Sequence, residues 1–207
     1  MRQHEATHQT LRTTLLDPEE AGSIDVGASQ PAGVLVGLYA QRGTLHAVFT
    51  KRRHDLSHHA GEISFPGGRH DHSDATLLAT ALRETHEELG LPPESVEVLG
   101  ALEPIPTVVS GYAVYPFVGI VPTSFAWKPN PSEVAAVIDL QLDLLTAGYS
   151  RRRLMRLNTP IHTDTYVVGE HTIWGVTARI VSDLLDRTGR VAGAGRAGHL
   201  EASATSG

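Results

Sequence analysis

Three glutamates near the end of a predicted helix are the residues whose types and spacing most clearly indicate chemistry. Glu87 and Glu88 follow Glu84 by three and four positions, so all three project from one side of a helix. Like charges at this spacing destabilise a helix by roughly 0.2–0.5 kcal/mol per pair, and the C-terminal end of a helix also disfavours anions. A divalent cation such as Mg²⁺, which takes carboxylate oxygens as ligands, would reverse both penalties. The alternative interpretation is a solvated acidic helix face.

The segment before this helix favours metal binding. Residues 65–68 (FPGG) predict a strand that ends in a loop with little side-chain bulk. Such a backbone can approach a phosphate group or a metal ion closely. Arg83, directly before the acidic cluster, can hold a carboxylate through two hydrogen bonds.

The element that must position the glutamates is a helix predicted over residues 75–89. Gly90 suits the left-handed position that follows a helix, and Pro92 comes soon after it. A stripe at helical spacing predicts the face that packs on a sheet. The stripe consists of Leu78, Ala81, Leu82, Thr85 and Leu89.

The other periodic segments predict the sheet. A second helix is predicted over residues 175–186, with Val176, Ile180 and Leu184 on one face. Because turns join most of the strands and only two helices intervene, we predict an α+β fold, with a mixed β-sheet flanked by helices. The predicted strands are residues 33–40, 45–50, 63–65, 96–102, 113–121, 134–142, 166–168 and 172–173.

Length and composition indicate one domain with tails. The chain has 207 residues, and 41% of them are hydrophobic, which is enough for one sizeable core. We predict an N-terminal extension over residues 1–30, with a short helix near 11–16, and a folded domain over residues 31–187. The small and polar segment 188–207 is predicted to be a disordered tail.

Composition also argues against several classes of function. The absence of cysteine excludes disulfides, thiolate metal sites and cysteine catalysis. A net charge of −6 argues against duplex nucleic acid or an anionic membrane as partners. No apolar leader or membrane-length apolar run is present, so we expect a cytoplasmic protein.

At the acidic helix the sequence resembles the Nudix hydrolases, whose signature is G-x5-E-x7-R-E-U-x-E-E-x-G-U, with U an apolar residue. The C-terminal half of that signature matches residues 83–91 (RETHEELGL), with Thr85 at the first apolar position. The N-terminal half departs from it. One additional residue separates Gly68 from Arg83, and Asp74 stands at the first glutamate position.

The lengthening by one residue resembles the coenzyme A pyrophosphatase branch of that family. Members of that branch also carry the upstream pattern L-L-T-x-R-S-x3-R-x3-G-x3-F-P-G-G. Arg53 replaces the Ser of that pattern, and Ser57 replaces its second Arg. The resemblance covers about residues 32–186. The parts that fit the branch are residues 48–50, Arg52, Gly61 and residues 65–68, 106–112 and 173–178.

The resemblance implies an α/β/α sandwich that hydrolyses a nucleoside diphosphate linked to another group, with Mg²⁺ or Mn²⁺ as cofactor. It implies that Glu84 and Glu88 are direct metal ligands. Glu87 would bind metal through water or a second ion, or help to activate the nucleophile. Arg83 would hold a glutamate in place.

The resemblance further implies backbone contacts to substrate from Gly67 and Gly68. The general base varies within the family, and Glu133 is one candidate; its alternative role is a solvated carboxylate at a strand start. Arg52 and Arg53 could bind the 3′-phosphate of coenzyme A, since arginine pairs well with phosphate, or belong to a solvated basic loop.

Three hypotheses for function therefore stay open. The first is hydrolysis of coenzyme A or acyl-coenzyme A to 4′-phosphopantetheine and 3′,5′-ADP. The second keeps the chemistry but takes ADP-ribose, a nucleotide sugar, a dinucleotide or a nucleoside triphosphate. The third is a non-catalytic nucleotide-binding regulatory module.

A homodimer is possible. Zinc binding by loop histidines is disfavoured, because they lack a regular ligand spacing; these are His54, His58, His59, His70 and His72.

Overall fold

The computed structural model of the protein describes residues 2–28, 30–53, 61–107, 111–156 and 159–190. Within these ranges the helices are α1 (Arg2–Thr14), α2 (Pro18–Ser23), α3 (Leu77–Leu89), α4 (Leu142–Ala147) and α5 (Gly175–Arg187). The strands are β1 (Gln30–Gln41), β2 (Thr44–Arg52), β3 (Ile63–Ser64), β4 (Gly67–Arg69), β5 (Glu97–Ala101), β6 (Ile105–Pro106), β7 (Tyr112–Ile120), β8 (Val134–Gln141), β9 (Tyr149–Arg156), β10 (Thr159–Val168) and β11 (His171–Trp174).

The larger sheet is built around a hairpin of β1 and β2. Arg42 and Gly43 form its two-residue turn with φ values of 49° and 85°, the left-handed geometry that a tight hairpin requires. The main strand order is β3-β2-β1-β7-β5, with β8 also on β2, β4 on β1 and β6 on β7. Strands β1 and β7 run parallel and the other pairs run antiparallel, so the sheet is mixed. A smaller antiparallel sheet has the order β11-β10-β9.

Both faces of the larger sheet are covered, as the alternation of side chains along a strand allows. On β1, Leu35 belongs to the same apolar cluster as Leu89 of α3. The next residue, Val36, belongs to the cluster that contains Ile180 and Leu184 of α5. The prediction of an α+β fold with a mixed sheet between helices is confirmed, and α5 covers the face opposite α3.

The stripe predicted for α3 is only partly correct. Ala81, Thr85 and Leu89 are buried, whereas Leu78 and Leu82 are half-buried. The buried face instead includes Glu88. The helix is rotated relative to the predicted stripe, and one of its carboxylates therefore points inward.

The N-terminal residues contribute to the same core. The sequence predicted one short helix near residues 11–16, but α1 ends at Thr14 and Asp17 caps α2 by accepting from the backbone N–H of Glu19 at 2.8 Å. Leu11 is fully buried. Leu16 forms an isolated antiparallel β-bridge with Ala101, the last residue of β5.

The predicted boundaries at residues 30 and 187 stay predictions, and residues 191–207 of the predicted tail lie outside the described residues.

Five elements were not predicted: α2, β4, β6, α4 and β9. Strand β9 carries the exposed run Arg151–Arg153, whose polarity obscures the pattern of a strand. The other four have six residues or fewer, which is too short to show a period. No helix in the described part of the chain is long and apolar enough to cross a membrane.

The burial of Leu11 predicts that α1 is part of the stable fold. Leu11→Ala should reduce the free energy of unfolding by about 2–5 kcal/mol, because it leaves a cavity in the core. Urea denaturation measures this loss. Leu144→Ala is the matched control, since that leucine is 47% exposed and its truncation should cost less than about 0.5 kcal/mol. Equal and small losses in both variants would show that α1 does not contribute to the core.

Candidate active site

The Gly67–Gly68 turn is fixed by pairing with the central strand of the sheet. In β4, Gly67 pairs with Val34 and Gly68 pairs with Gly33 of β1. Gly67 has a φ of 150°, and a Cβ at this position would lie 2.3 Å from the carbonyl oxygen of Gly33. Only glycine permits this close pairing.

Glu84 lies directly against this turn. A Cβ on Gly68 would lie 2.4 Å from the carboxyl carbon of Glu84, so the space that a side chain would take is filled by the carboxylate. The side chain of Glu84 is 19% exposed. Burial raises its pKa, against the opposing effect of Arg83, and the charges of Glu87 and Glu133 raise it further. The glycine predicted to contact substrate thus also makes room for a predicted metal ligand.

Glu88 lies deeper, on the same side of α3. It is 7% exposed, and its Oε2 accepts a hydrogen bond of 3.3 Å from the backbone N–H of Gly67. Burial raises the pKa of Glu88 to about 8; the Gly67 hydrogen bond and the charge of Arg52 oppose this rise, whereas Glu84 and Glu133 add to it. A buried carboxylate with so few donors is a strong candidate for a cation ligand.

The end of α3 is tied to the loop that carries Glu133. Backbone N–H groups of Lys128 and Asn130 donate to the carbonyls of Leu89 and Glu88, at 2.9 and 2.8 Å. These bonds satisfy carbonyls that a helix end leaves without partners. Glu133 follows directly, which explains its electrostatic effect on the site glutamates.

Arg53 holds the same loop from the end of β2. Its Nη1 donates to the carbonyl of Pro131 at 2.5 Å, and its backbone N–H donates to the carbonyl of Glu133 at 3.1 Å. Arg52, the preceding residue, is close enough to Glu88 to lower the pKa of that carboxyl group. The predicted substrate-binding arginines therefore lie beside the acidic cluster, and Arg53 contacts the protein backbone.

Arg83 joins three carboxylates. Its Nε and Nη2 donate to the two oxygens of Asp74 at 2.8 and 3.0 Å. Arg83 also lies 3.0 Å from Glu84 and 3.0 Å from Glu87. The bidentate pair of Arg83 with Asp74 holds the pKa of Asp74 well below its usual range, and the same contact raises the pKa of Arg83. Arg83 thus contacts both Glu84 and Glu87, and its role in holding a glutamate in place stays a prediction.

Asp74 and its partners were not predicted as site residues. The Asp74 side chain is 5% exposed and also accepts from the Thr80 hydroxyl at 2.8 Å and from the backbone N–H of Asp71 at 3.1 Å. The available signal was its place in the signature, where the general family pattern has a glutamate. In this chain the Asp74 carboxylate at that position accepts hydrogen bonds from Arg83.

An open cavity of about 660 Å³ lies beside these residues. Residues 69–73, between β4 and α3, line one part of it, and Arg83, Glu84 and Glu87 line the other. The predicted site residues on α3 thus face a volume that a small-molecule substrate can enter.

The carboxylates fit a hard divalent cation in chemistry. Glu84 and Glu88 both approach the Gly67–Gly68 turn, and burial raises the pKa of both carboxyl groups. Glu87, whose side chain is 54% exposed, pairs with Arg83 instead. Among the described residues, no group of three or more histidine, aspartate or glutamate side chains is close enough together to enclose an ion. The ligand role of Glu87 stays a prediction.

The fold and this acidic site define a hydrolase of phosphate anhydrides, and comparison with known proteins agrees. Residues 29–155 match the family model of the NUDIX domain. The chain is 37% identical over 175 residues to "Uncharacterized Nudix hydrolase NudL" of Enterobacter sp. (strain 638), which covers 84% of this chain and 89% of the relative. The relative of the same name in Citrobacter koseri is 36% identical with the same coverage.

The chain therefore belongs to the Nudix family and is a hydrolase that acts on the pyrophosphate bond of nucleoside diphosphate derivatives. Nudix hydrolases generally use divalent metal ions such as Mg²⁺. A MutT/nudix family protein from Enterococcus faecalis shares the fold with a TM-score of 0.54; it is 14% identical, and the match covers 79% of this chain and 63% of that protein.

The contact between Gly68 and Glu84 predicts a metal-binding defect for Gly68→Ala. The added methyl group would displace the carboxylate, so Mg²⁺ affinity measured by calorimetry should fall about tenfold or more. Gly22→Ala is the matched control, because a Cβ there meets nothing within 4 Å. Equal Mg²⁺ affinity in both variants would contradict the placement of Glu84 in the metal site.

The raised pKa of Glu88 predicts a pH-dependent stability difference in the metal-free protein. A carboxyl group with a higher pKa in the folded state destabilises the fold as pH rises from about 4.5, its ordinary value, to about 8. Glu88→Gln cannot ionise, so at pH 8 its free energy of unfolding should exceed that of the wild type by more than about 1 kcal/mol. This difference should shrink at pH 5.

Denaturation in EDTA at both pH values measures the effect. Glu170→Gln, which replaces an exposed carboxylate outside the site, is the matched control. A Glu88→Gln effect that does not change between pH 5 and pH 8 would show that Glu88 is not buried as a protonated acid.

Proposed function

We propose that the chain hydrolyses the pyrophosphate bond of coenzyme A or acyl-coenzyme A, giving 3′,5′-ADP and 4′-phosphopantetheine or its acyl derivative. The observation that carries the hydrolase part is the placement of Glu84 and Glu88 against the Gly67–Gly68 turn. The choice of coenzyme A rests on the resemblance of residues 48–68 and of the lengthened signature to the pyrophosphatase branch.

In this proposal, Glu84 and Glu88 hold one or more Mg²⁺ or Mn²⁺ ions, which supply positive charge to the developing negative charge of the transition state. Water attacks one phosphorus, its oxygen forms the new bond, and the bond to the other phosphate breaks. Arg83 keeps Glu84 and Glu87 oriented through its contacts to both. The small turn at Gly67 and Gly68 lets the diphosphate approach the backbone.

Glu133 is one candidate for the general base. The loop bonds from Asn130 and Arg53 hold it beside the site, and its charge raises the pKa of both Glu84 and Glu88. A carboxylate so placed can accept the proton that the attacking water loses.

A catalytic protein is favoured over a silent nucleotide-binding module by the burial of Glu88. Keeping a carboxyl group inside a protein with one long backbone hydrogen bond costs stability. A cation-dependent reaction explains that cost, whereas nucleotide recognition alone does not require it.

The first test is a substrate panel with Mg²⁺, with products identified by mass. The panel contains coenzyme A, acetyl-coenzyme A, ADP-ribose, a nucleotide sugar, a dinucleotide and a nucleoside triphosphate. Glu84→Gln and Glu88→Gln should each reduce the hydrolysis rate by about two orders of magnitude or more, because the bound ion supplies the charge stabilisation. Brisk cleavage of ADP-ribose without turnover of coenzyme A would refute the proposed substrate and leave the general hydrolase.

The substrate choice also predicts a preference for the 3′-phosphate. Coenzyme A should be cleaved faster than dephospho-coenzyme A, and Arg52→Ala should reduce this preference more than it reduces Mg²⁺ affinity. A charged hydrogen bond contributes about 1.5–3 kcal/mol, so the preference should be about tenfold or more in kcat/KM. Equal kcat/KM values for both compounds would remove the argument for a 3′-phosphate contact.

A further inference from the structure

Arg69, the last residue of β4, and His70, which follows it, line the cavity beside the carboxylates. Arg69 is the positively charged residue of this part of the lining, which also contains Asp71. The cavity volume of about 660 Å³ lies within the range of small-molecule sites. Glu84 and Glu87 line the other part, and neither Arg69 nor His70 has a role in the predicted metal site.

His70 is anchored in one orientation by a buried chain of hydrogen bonds. Its Nδ1 lies 2.8 Å from the hydroxyl of Thr80, which donates to Asp74 at 2.8 Å. Asp74 is paired with Arg83, which keeps this carboxylate ionised, so it can only accept. Because the Thr80 hydroxyl has a single proton and gives it to Asp74, it must accept from Nδ1–H of His70. The hydrogen-bond network thus assigns the tautomer.

The other ring nitrogen of His70 is available to a ligand. Nε2 makes no hydrogen bond within the described part of the chain, and it is not among the buried atoms without a partner. The His70 side chain is 28% exposed and lines the cavity. Arg69 is exposed, and its guanidinium makes no hydrogen bond or ion pair with the described residues. Both groups can therefore meet a molecule that enters.

We infer that Arg69 and His70 form a phosphate subsite of the active-site cavity, with His70 presented by the Thr80–Asp74 chain. Arg69 supplies a planar guanidinium that matches phosphate oxygens, and His70 hydrogen-bonds the phosphate through Nε2. This inference rests on the proposed function for the identity of the substrate, since it places a phosphate group of that substrate.

Because Nδ1–H is bonded to Thr80, Nε2 is the ring nitrogen that can meet a phosphate oxygen, and the Asp74 carboxylate lies 3.9 Å from Nδ1. The backbone N–H of His70 donates to the carbonyl of Pro31 on β1 at 3.0 Å. The charged and titratable groups that share the cavity or the anchoring chain with it are Arg69, Asp71, His72, Asp74, Arg83, Glu84 and Glu87.

Two phosphates of the substrate could occupy this subsite: the 3′-phosphate or the 5′-phosphate next to the bond that breaks. Adenosine 3′-monophosphate and adenosine 5′-monophosphate separate them, with adenosine as the uncharged reference. Neither monophosphate has an anhydride to cleave, so binding to the full chain can be measured by calorimetry with Mg²⁺ present.

In the wild type, at least one monophosphate should bind more tightly than adenosine. Arg69→Ala and His70→Asn should each reduce that advantage about tenfold. His70→Asn keeps a donor near the position of Nδ1 but lacks Nε2.

A matched pair tests the anchoring chain. Thr80→Val removes the hydroxyl that holds His70 and should weaken the phosphate advantage, whereas Thr85→Val removes a buried hydroxyl that donates only to the carbonyl of Ala81 and should leave it unchanged. Arg69→Ala changes an exposed side chain, so its effect does not depend on folding.

The inference is overturned if neither monophosphate binds more tightly than adenosine, or if Arg69→Ala and His70→Asn both keep the full advantage. The experiments distinguish a failure of this inference from a failure of the proposed function. A protein that cleaves ADP-ribose in place of coenzyme A would refute the proposed substrate, yet a phosphate advantage lost with Arg69 would still establish the subsite.

Discussion

The close approach of α3 to the central strands is the constraint on which the site depends. A Cβ on Gly33 would lie 2.3 Å from the carbonyl oxygen of Leu77, so the start of the helix rests directly on β1. Ala81 is fully buried at this contact, and Gly68 leaves space for Glu84. With larger residues at these places the helix would stand further from the sheet, and the carboxylates would no longer reach the turn. Packing and chemistry are thus set by the same small residues.

That approach carries an electrostatic cost, which the structure offsets only in part. Arg83 contacts Asp74, Glu84 and Glu87, but Glu88 lies on the inward side and is stabilised by a single long bond from the Gly67 backbone. Burial therefore dominates the pKa of Glu88, and Glu133 adds further negative charge. A divalent ion at Glu84 and Glu88 would compensate the negative charge that Arg83 and Arg52 offset only in part. The protein gives up stability in its metal-free state for a site that is ready to bind the ion.

Much of the fold and the identity of the acidic helix could be predicted from the sequence, because they follow local patterns. The hairpin shows two apolar runs joined at Arg42-Gly43, and α3 is followed by Gly90, whose φ is 71°. The inward position of Glu88 could not be predicted, since a carboxylate does not mark a buried face. The contact of Arg53 with Pro131 joins segments distant in sequence, so it was also missed. The contacts of Asp74 are local, but they depend on how the loop before α3 folds.

The departures from the general Nudix signature fall on the loop that supplies the partner of Arg83. The pattern places a glutamate before the helix, whereas this chain has the shorter Asp74 and one additional residue between Gly68 and Arg83. The loop closes on itself through Asp71, which accepts from the Ser73 backbone at 2.8 Å and whose carbonyl accepts from the backbone N–H of Asp74 at 3.0 Å. Asp74 then accepts from Arg83 with both of its oxygens. One loop therefore provides both the carboxylate that holds Arg83 and residues that line the cavity beside Glu84 and Glu87.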